Sequence, residues 1–326
     1  MLDLTDKKIM RALDLNSRIP LSELARKVRM SRDKVNYRVN NLVKKGVIRK
    51  FVCMINPGKL NYSVYKLYFK FQNMDKKTEE EAINYLISNN FIYWIASCQG
   101  KWDLTLTVFA HDINHFDEIL MDFTSKYGDY IMEQDFNTTL VAGILSKDWI
   151  LPEQKTEKLS KVGGEKTNAK IDEKDVEILK ILANNSRMNA MEIARKTKLT
   201  QRQVIYRIKD LEKKGVILGY TTSLNLEVLG KQFFKSVLHF NYMNRSLKQK
   251  LTEFYKSQPE VGFFVFCVGG WPTEVELIVD NNQQYFQVME KLRTLFPELK
   301  GYETLIFPKE YKFDWMPLCY KVQKNV

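Results

Sequence analysis

The chain has 326 residues, 44% of them hydrophobic and 28% charged, with a formal net charge of +12. That length and apolar content exclude a single small domain. No run of about 18 apolar residues occurs, which argues against a helical membrane span, and the charged start MLDLTDKKIM is unlike a secretory leader.

In chain order, residues 5–16 place Ile9, Ala12 and Leu13 at helical spacing behind Asp6, which suits a helix N-terminus. A break at Asn16-Ser17-Arg18 follows, and Pro20 then opens a second helix with Leu21, Leu24, Ala25 and Val28 inward. Ser31 caps a third helix over 32–45, with Val35, Val39 and Leu42 inward and Gly46 as its stop. Three short helices with a tight turn before the third predict a helix-turn-helix. An extended segment (46–56) leads to a strand at 64–72, a helix at 77–88, strands at 91–98 and 103–110, a helix at 113–126 and a strand at 130–140. The order β-α-β-β-α-β is the ferredoxin-like arrangement.

The same series then repeats. Shifting the chain by 169 residues lays 3–18 on 172–187, 22–31 on 191–200 and 35–48 on 204–217, with about twenty identities. Asn56 meets Asn225, Cys98 meets Cys267, Gly100 meets Gly269 and Trp102 meets Trp271. The tails KDWILP and KFDWMP, each carrying an Asp-Trp pair, also correspond. The chain is a duplication. The fold class expected is α+β: two winged-type helix-turn-helix domains (1–50 and 171–220) and two ferredoxin-like βαββαβ sensor domains (51–151 and 221–326). A polar segment with Gly163-Gly164 (152–170) is expected to be a flexible linker.

Charge follows this division. Residues 1–50 carry a net +9 and 170–220 a net +5, against −4 for 51–169 and +2 for 221–326. Basic charge gathered on two small modules points to a polyanion, and double-stranded DNA is the partner expected. The third helix of each module carries the side chains for it. These are Ser31, Arg32, Lys34, Asn36, Tyr37 and Arg38 in the first copy, and Thr200, Gln201, Arg202, Gln203, Tyr206 and Arg207 in the second. Arg forks suit guanine, Asn or Gln suits adenine, and Tyr or a cap hydroxyl suits phosphate. An ordinary solvated helix face would be rich in Glu/Lys pairs, whereas Glu is absent from 32–45.

Several motifs together, D-x-x-D-x-x-I, N-S-R, E-(L/I)-A-R-K and K-K-G-V-I before a ferredoxin-like domain, resemble the Lrp/AsnC family of transcription regulators. The resemblance covers nearly all of both copies. It implies sequence-specific DNA binding modulated by an amino acid or other small metabolite. It also implies that the two copies form within one chain the dimer that single-copy members make from two, and that such units build higher homo-oligomers. The family's effector turn, G-x-(Y/W)-D, is matched by Gly100, Trp102 and Asp103, and Thr138 and Thr139 fall in its second contact region. In the second copy Pro272 replaces the aspartate, so only the first is expected to hold an ordinary pocket.

Two rival readings are open. Sirohaem decarboxylases share this architecture, but the histidine-rich strand motif that they resemble one another in has no counterpart in IYWIASC or FFVFCVG. A sensor without DNA binding would not need the basic third helices. The three histidines, His111, His115 and His239, form no ligand set by spacing, and no catalytic or phosphate-loop motif stands out. No enzyme activity, metal, cofactor or membrane partner is therefore expected. Cys53, Cys98, Cys267 and Cys319 lie far apart and read as reduced thiols of a cytoplasmic protein.

Overall fold

A computed structural model describes residues 2–156, 158–164, 166–316 and 320. Helices α1 (Leu4–Leu15), α2 (Leu21–Val28) and α3 (Arg32–Lys44) form the first helix-turn-helix. Strands β1 (Ile48–Ile55) and β2 (Ser63–Phe71), helix α4 (Lys76–Ser88), β3 (Ile92–Gln99), β4 (Leu104–Ala110), α5 (Ile113–Tyr127) and β5 (Ile131–Leu145) follow. The second copy runs α6 (Glu173–Asn184), α7 (Ala190–Thr197), α8 (Gln201–Lys213), β7 (Ile217–Leu224) and β8 (Gln232–Phe240). It continues with α9 (Arg245–Ser257), β9 (Val261–Gly269), β10 (Thr273–Val279), α10 (Asn282–Leu295) and β11 (Leu299–Phe313). The expected α+β class and the order of elements are those observed.

The two βαββαβ units are not separate beads. Strand order runs β2-β4-β3-β11-β8-β10-β9-β5, and β5 pairs again with β2, so eight strands close into a barrel. Closure comes from the last strand of each unit, which is longer than its sequence pattern suggested. β5 pairs with its own β2 from Ile131 to Thr138, then with β9 of the other unit from Asn137 to Ile144. β11 does the converse, pairing with β8 and then with β3. Alternate residues point to opposite faces of a strand. Leu67, Phe69, Leu106 and Val108 pack under α4 and α5, while Phe234, Leu238, Leu277 and Val279 pack under α9 and α10. The intervening side chains face the barrel interior, where Tyr68, Cys98, Trp102, Trp271 and Leu305 pack together.

The segment expected to be a flexible linker contains strand β6 (Leu159–Gly163), which pairs antiparallel with the second half of β5. Val162 is buried there among the barrel residues and Leu159 packs against the second copy's core, so two apolar residues and a run of backbone pairs dock a polar stretch. The extended crossing segments also pair with each other, β1 with β7, as a two-stranded ribbon. Each strand of the ribbon completes the other copy's core. Cys53 and Ile55 join Ile178, Leu182 and Val204, whereas Leu224 joins Ile9, Leu13 and Val35. The first copy's tail packs instead on its own module, with Trp149 buried against the first helix-turn-helix. Among the described residues no helix is long and apolar enough to cross a membrane. Cys53, Cys98 and Cys267 are buried free thiols, and Cys319 lies outside the described residues.

Candidate nucleic-acid interface and effector turn

Each reading helix is built the same way. Ser31 and Thr200 adopt extended backbone and accept from the N–H groups of Lys34 and Gln203. In the second copy Gln203 also accepts from the Thr200 N–H at 2.8 Å, closing a capping box. The turn before each helix is made by Arg29 (φ 54°) and Lys198 (φ 56°), left-handed residues that end α2 and α7. Val35, Val39 and Leu42, or Val204, Ile208 and Leu211, face the core. That leaves Arg32, Lys34, Asn36 and Tyr37 exposed on α3, and Gln201, Arg202, Gln203 and Tyr206 exposed on α8. Tyr37 and Tyr206 are each 71% exposed, although a large aromatic ring seldom stands so far out of a fold.

Arg38 and Arg207 are placed differently from the expectation. Arg38 Nη1 lies 2.8 Å from carboxylate oxygens of both Asp3 and Asp6, and Arg207 Nη1 makes the same pair of contacts to Asp172 and Asp175. Those four aspartates are the capping boxes of α1 and α6. The D-x-x-D motif thus starts a helix and also holds an arginine of the reading helix. Hydrogen bonds from Asp6 and Asp3 push the Arg38 guanidinium further up, and at Asp3 the Asp6 N–H and Arg38 hold the carboxyl low.

The repeated N-S-R motif, expected to be a break between helices and a mark of the family, also joins the two modules. Ser17 Oγ and Ser186 Oγ lie 2.6 Å apart. Arg18 donates to the carbonyls of Ser186 and Met188, and Arg187 donates to those of Ser17 and Ile19. Each guanidinium also covers a ring from the opposite ribbon strand, Arg18 over Tyr220 and Arg187 over Phe51, both at 5.4 Å. Every contact recurs 169 or so residues away, so the clasp sits on a local two-fold axis and fixes α3 relative to α8. The missed signal was the identity of both copies at a position where a mere loop needs none.

At the effector turn the structure narrows the expectation. Gly100 has φ 131°, and a Cβ there would stand 2.5 Å from the Thr304 carbonyl oxygen of β11. Gly269 likewise approaches the Phe136 carbonyl of β5. Glycine lets each turn press on the other copy's last strand. Trp102 is fully buried beside Tyr68, with Lys101 over its ring and its indole N–H without an acceptor. Asp103 is occupied, accepting from Lys70 Nζ at 2.7 Å and from the Phe71 N–H at 2.8 Å. Thr138 pairs in the β5–β9 ladder, and Thr139 lines a cavity inside the barrel, away from the turn. The five residues therefore do not converge on one open pocket. His111 stacks on Tyr62 and His115, and among the described residues no group of three His, Cys, Asp or Glu could hold a metal.

A sequence profile for winged helix-turn-helix DNA-binding matches residues 2–49 and again 171–217. The proline dehydrogenase transcriptional activator of Rhodobacter capsulatus is 30% identical over 125 residues, 37% of this chain and 79% of that protein. The HTH-type transcriptional regulator Ptr1 of Methanocaldococcus jannaschii is 30% identical over 122 residues, 37% of this chain and 81% of its own length. The chain belongs to the Lrp/AsnC family of regulators. This member of the family binds DNA and regulates transcription, and it carries the family unit twice. Over its whole length its fold is that of the sirohaem decarboxylase NirDL, with a TM-score of 0.63, 14% identity, and 96% and 95% of the two chains covered.

Proposed function

We propose that the protein is a sequence-specific regulator that reads two unlike half-sites of one duplex with α3 and α8. The observation that carries this is the clasp: two exposed, basic, differently composed helices are locked together by reciprocal Ser and Arg contacts. Base contact is assigned to Arg32 and Asn36 and to Gln201 and Arg202, while the exposed Tyr37 and Tyr206 reach phosphate. Lys34 and the caps at Ser31 and Thr200 serve phosphate, and Gln203 supports its cap. Arg38 and Arg207 orient the helix through the aspartates that hold them. The test is fluorescence anisotropy on duplexes with the two half-sites in mixed and in palindromic order. Mixed order binds most tightly, Arg32→Ala or Arg202→Ala costs about 1–3 kcal/mol and relaxes the base preference, and Lys34→Ala lowers the logarithmic salt slope by about one. Equal affinity for either perfect palindrome would sink the proposal.

Effector contact at the first turn belongs to the same proposal in a restricted form. An amino acid's ammonium would take the place of Lys70 on Asp103, with Gly100 and Trp102 walling it and Thr138 and Thr139 adjusting through β5. Calorimetric titration with amino acids checks it, and an affinity that Asp103→Asn leaves unchanged rules it out. Higher homo-oligomers are expected from the family, and mass in solution reports them. The whole-length likeness to a sirohaem decarboxylase favours a second reading, catalysis on a tetrapyrrole. We infer that the chain binds DNA and takes up no tetrapyrrole, because the middle strands Ile92–Gln99 and Val261–Gly269 present no histidine or arginine. A Soret shift on adding sirohaem would reverse that.

A further inference from the structure

The barrel interior is layered. At one end Trp102, Trp271, Cys98, Cys267, Val237 and Leu305 pack together. Above them lies a layer of buried ions. Lys66 Nζ meets Glu274 Oε2 at 2.6 Å, Lys235 Nζ meets Glu276 Oε1 at 3.2 Å, and the Tyr68 hydroxyl donates to Glu274 at 2.7 Å. At the other end the barrel is not filled. A cavity of about 780 Å³ is bounded by Lys66 and Glu276 below, by the rings of Trp94, Phe233, Phe263 and Phe307 around it, and by Val52 and Thr222 of the ribbon above.

Protein interiors are close-packed, and a void of this size lies within the range of small-molecule sites, about 300–1,000 Å³. Its chemistry is selective. The charges in its depth are matched, Lys66 by Glu274, Glu276 by Lys235 and Lys147 by Asp14, as are Lys231 by Asp280 and Arg49 by Glu310 nearer the mouth, where Glu227 and Lys309 stand exposed to solvent. A charged ligand would find no free counter-ion in that depth. Two hydroxyls that line it, those of Thr139 and Thr222, are buried and have no hydrogen-bond partner, and Thr222 is 1% exposed. Buried polar groups are ordinarily paired.

We propose that this cavity binds an uncharged, mainly aromatic small molecule with hydrogen-bonding groups that engage Thr139 and Thr222. The site is separate from the turn at Gly100–Asp103 and does not rest on the DNA-reading proposal. Because its ceiling is the ribbon that joins the two helix-turn-helix modules, a molecule bound there touches the element that sets their spacing.

The probe is N-phenyl-1-naphthylamine, an uncharged aromatic amine, titrated into the full chain. Saturable, blue-shifted emission with one site per chain is expected. Ala96→Trp and Ala142→Trp, from two strands of the wall, should each weaken binding at least about tenfold with the far-ultraviolet circular dichroism unchanged. 8-Anilino-1-naphthalenesulfonate, which adds a sulfonate to the same ring system, should bind at least about tenfold more weakly. Trp94→Phe keeps an aromatic wall and should reduce energy transfer from indole to dye, a readout that survives if a filling variant fails to fold. No saturable binding, binding indifferent to every wall variant, or transfer unchanged by Trp94→Phe would overturn the site. Tighter binding of the sulfonate would overturn its preference for an uncharged ligand.

Discussion

The two copies agree in their helix-turn-helix modules and disagree inside the barrel. Their reading helices, aspartate–arginine locks and N-S-R clasp recur with the same partners 169 residues apart. Inside the barrel each copy contributes a lysine, Lys66 or Lys235, but the acids come from one side. Glu274 and Glu276 stand where the first copy has Thr105 and Thr107. Two first copies would therefore bury two lysines without a carboxylate, and two second copies would bury twice as many acids as lysines. Burying an unmatched charge is costly, so the pairing of unlike copies is written in charge. The same division explains the turn tryptophans: the Trp271 indole donates to Glu274 at 3.0 Å, while the first copy has Thr105 at the place of Glu274 and the Trp102 indole has no acceptor.

Removing the acid should have the largest effect. Glu274→Gln takes from the buried Lys66 its carboxylate and leaves Lys235 with Glu276 alone, and should cost about 3–5 kcal/mol in urea unfolding. Moving the acid to the other copy, with Thr105→Glu and Glu274→Thr together, should recover about half of that, and no recovery would break the comparison. Burial alone would raise the Glu274 carboxyl, but Lys66 and Lys235 overcome it and hold it at about 2. A depressed folded value means the stabilisation is complete above the usual value of 4.5 and is lost as pH falls through about 2. Glu274→Gln should abolish that part of the acid limb.

A second asymmetry lies at the joint between helix-turn-helix and barrel. In the first copy Asp14 takes Arg11, the Lys147 ammonium and backbone N–H, and the Thr221 hydroxyl, and Arg11 reaches on to Asp148. At the corresponding places the second copy has Lys180 and Ala183 and relies on apolar contact. Asp14→Ala should cost about 3 kcal/mol and loosen the first module alone, which hydrogen exchange would resolve copy by copy. Next in size is the clasp. Arg18→Ala with Arg187→Ala should leave the fold intact but relax the preference for one half-site spacing by about tenfold, or 1.4 kcal/mol. The smallest effect is expected for Arg38→Ala and Arg207→Ala. These should shift the melting temperature by only a few degrees and reduce duplex affinity less than Arg32→Ala, because exposed ion pairs contribute little. A larger loss of affinity than Arg32→Ala would return both arginines to the DNA surface.

The repeat, the helix-turn-helix elements and the βαββαβ order were legible because each follows from local periodicity and caps. Ser31, Thr200, Gly46 and Gly215 mark helix ends by chemistry that acts within a few residues. What escaped was long-range. Nothing in Leu140–Leu145 or Phe307–Phe313 announces that a strand has changed partners, since pairing with β9 or β3 asks for the same extended backbone. The ion pairs of Arg38 and Arg207 went unforeseen for a related reason. A basic residue on an exposed helix looks free until the fold brings two aspartates from 32 and 35 residues away beside it. Leu159 and Val162 show the opposite error, two apolar residues and a run of backbone pairs docking a segment that its composition marked as loose.

The crossed ribbon bears on what a break in the chain would do. Because β1 finishes the second module's interior and β7 the first's, the two halves are held by exchanged parts, and the covalent joint between them is secondary. A protease cut near residue 157 should leave a nicked protein that still migrates as one body. Loss of either half would strip the survivor of a wall it does not encode. The molecule is in this sense indivisible at the one place where its sequence looks easiest to divide.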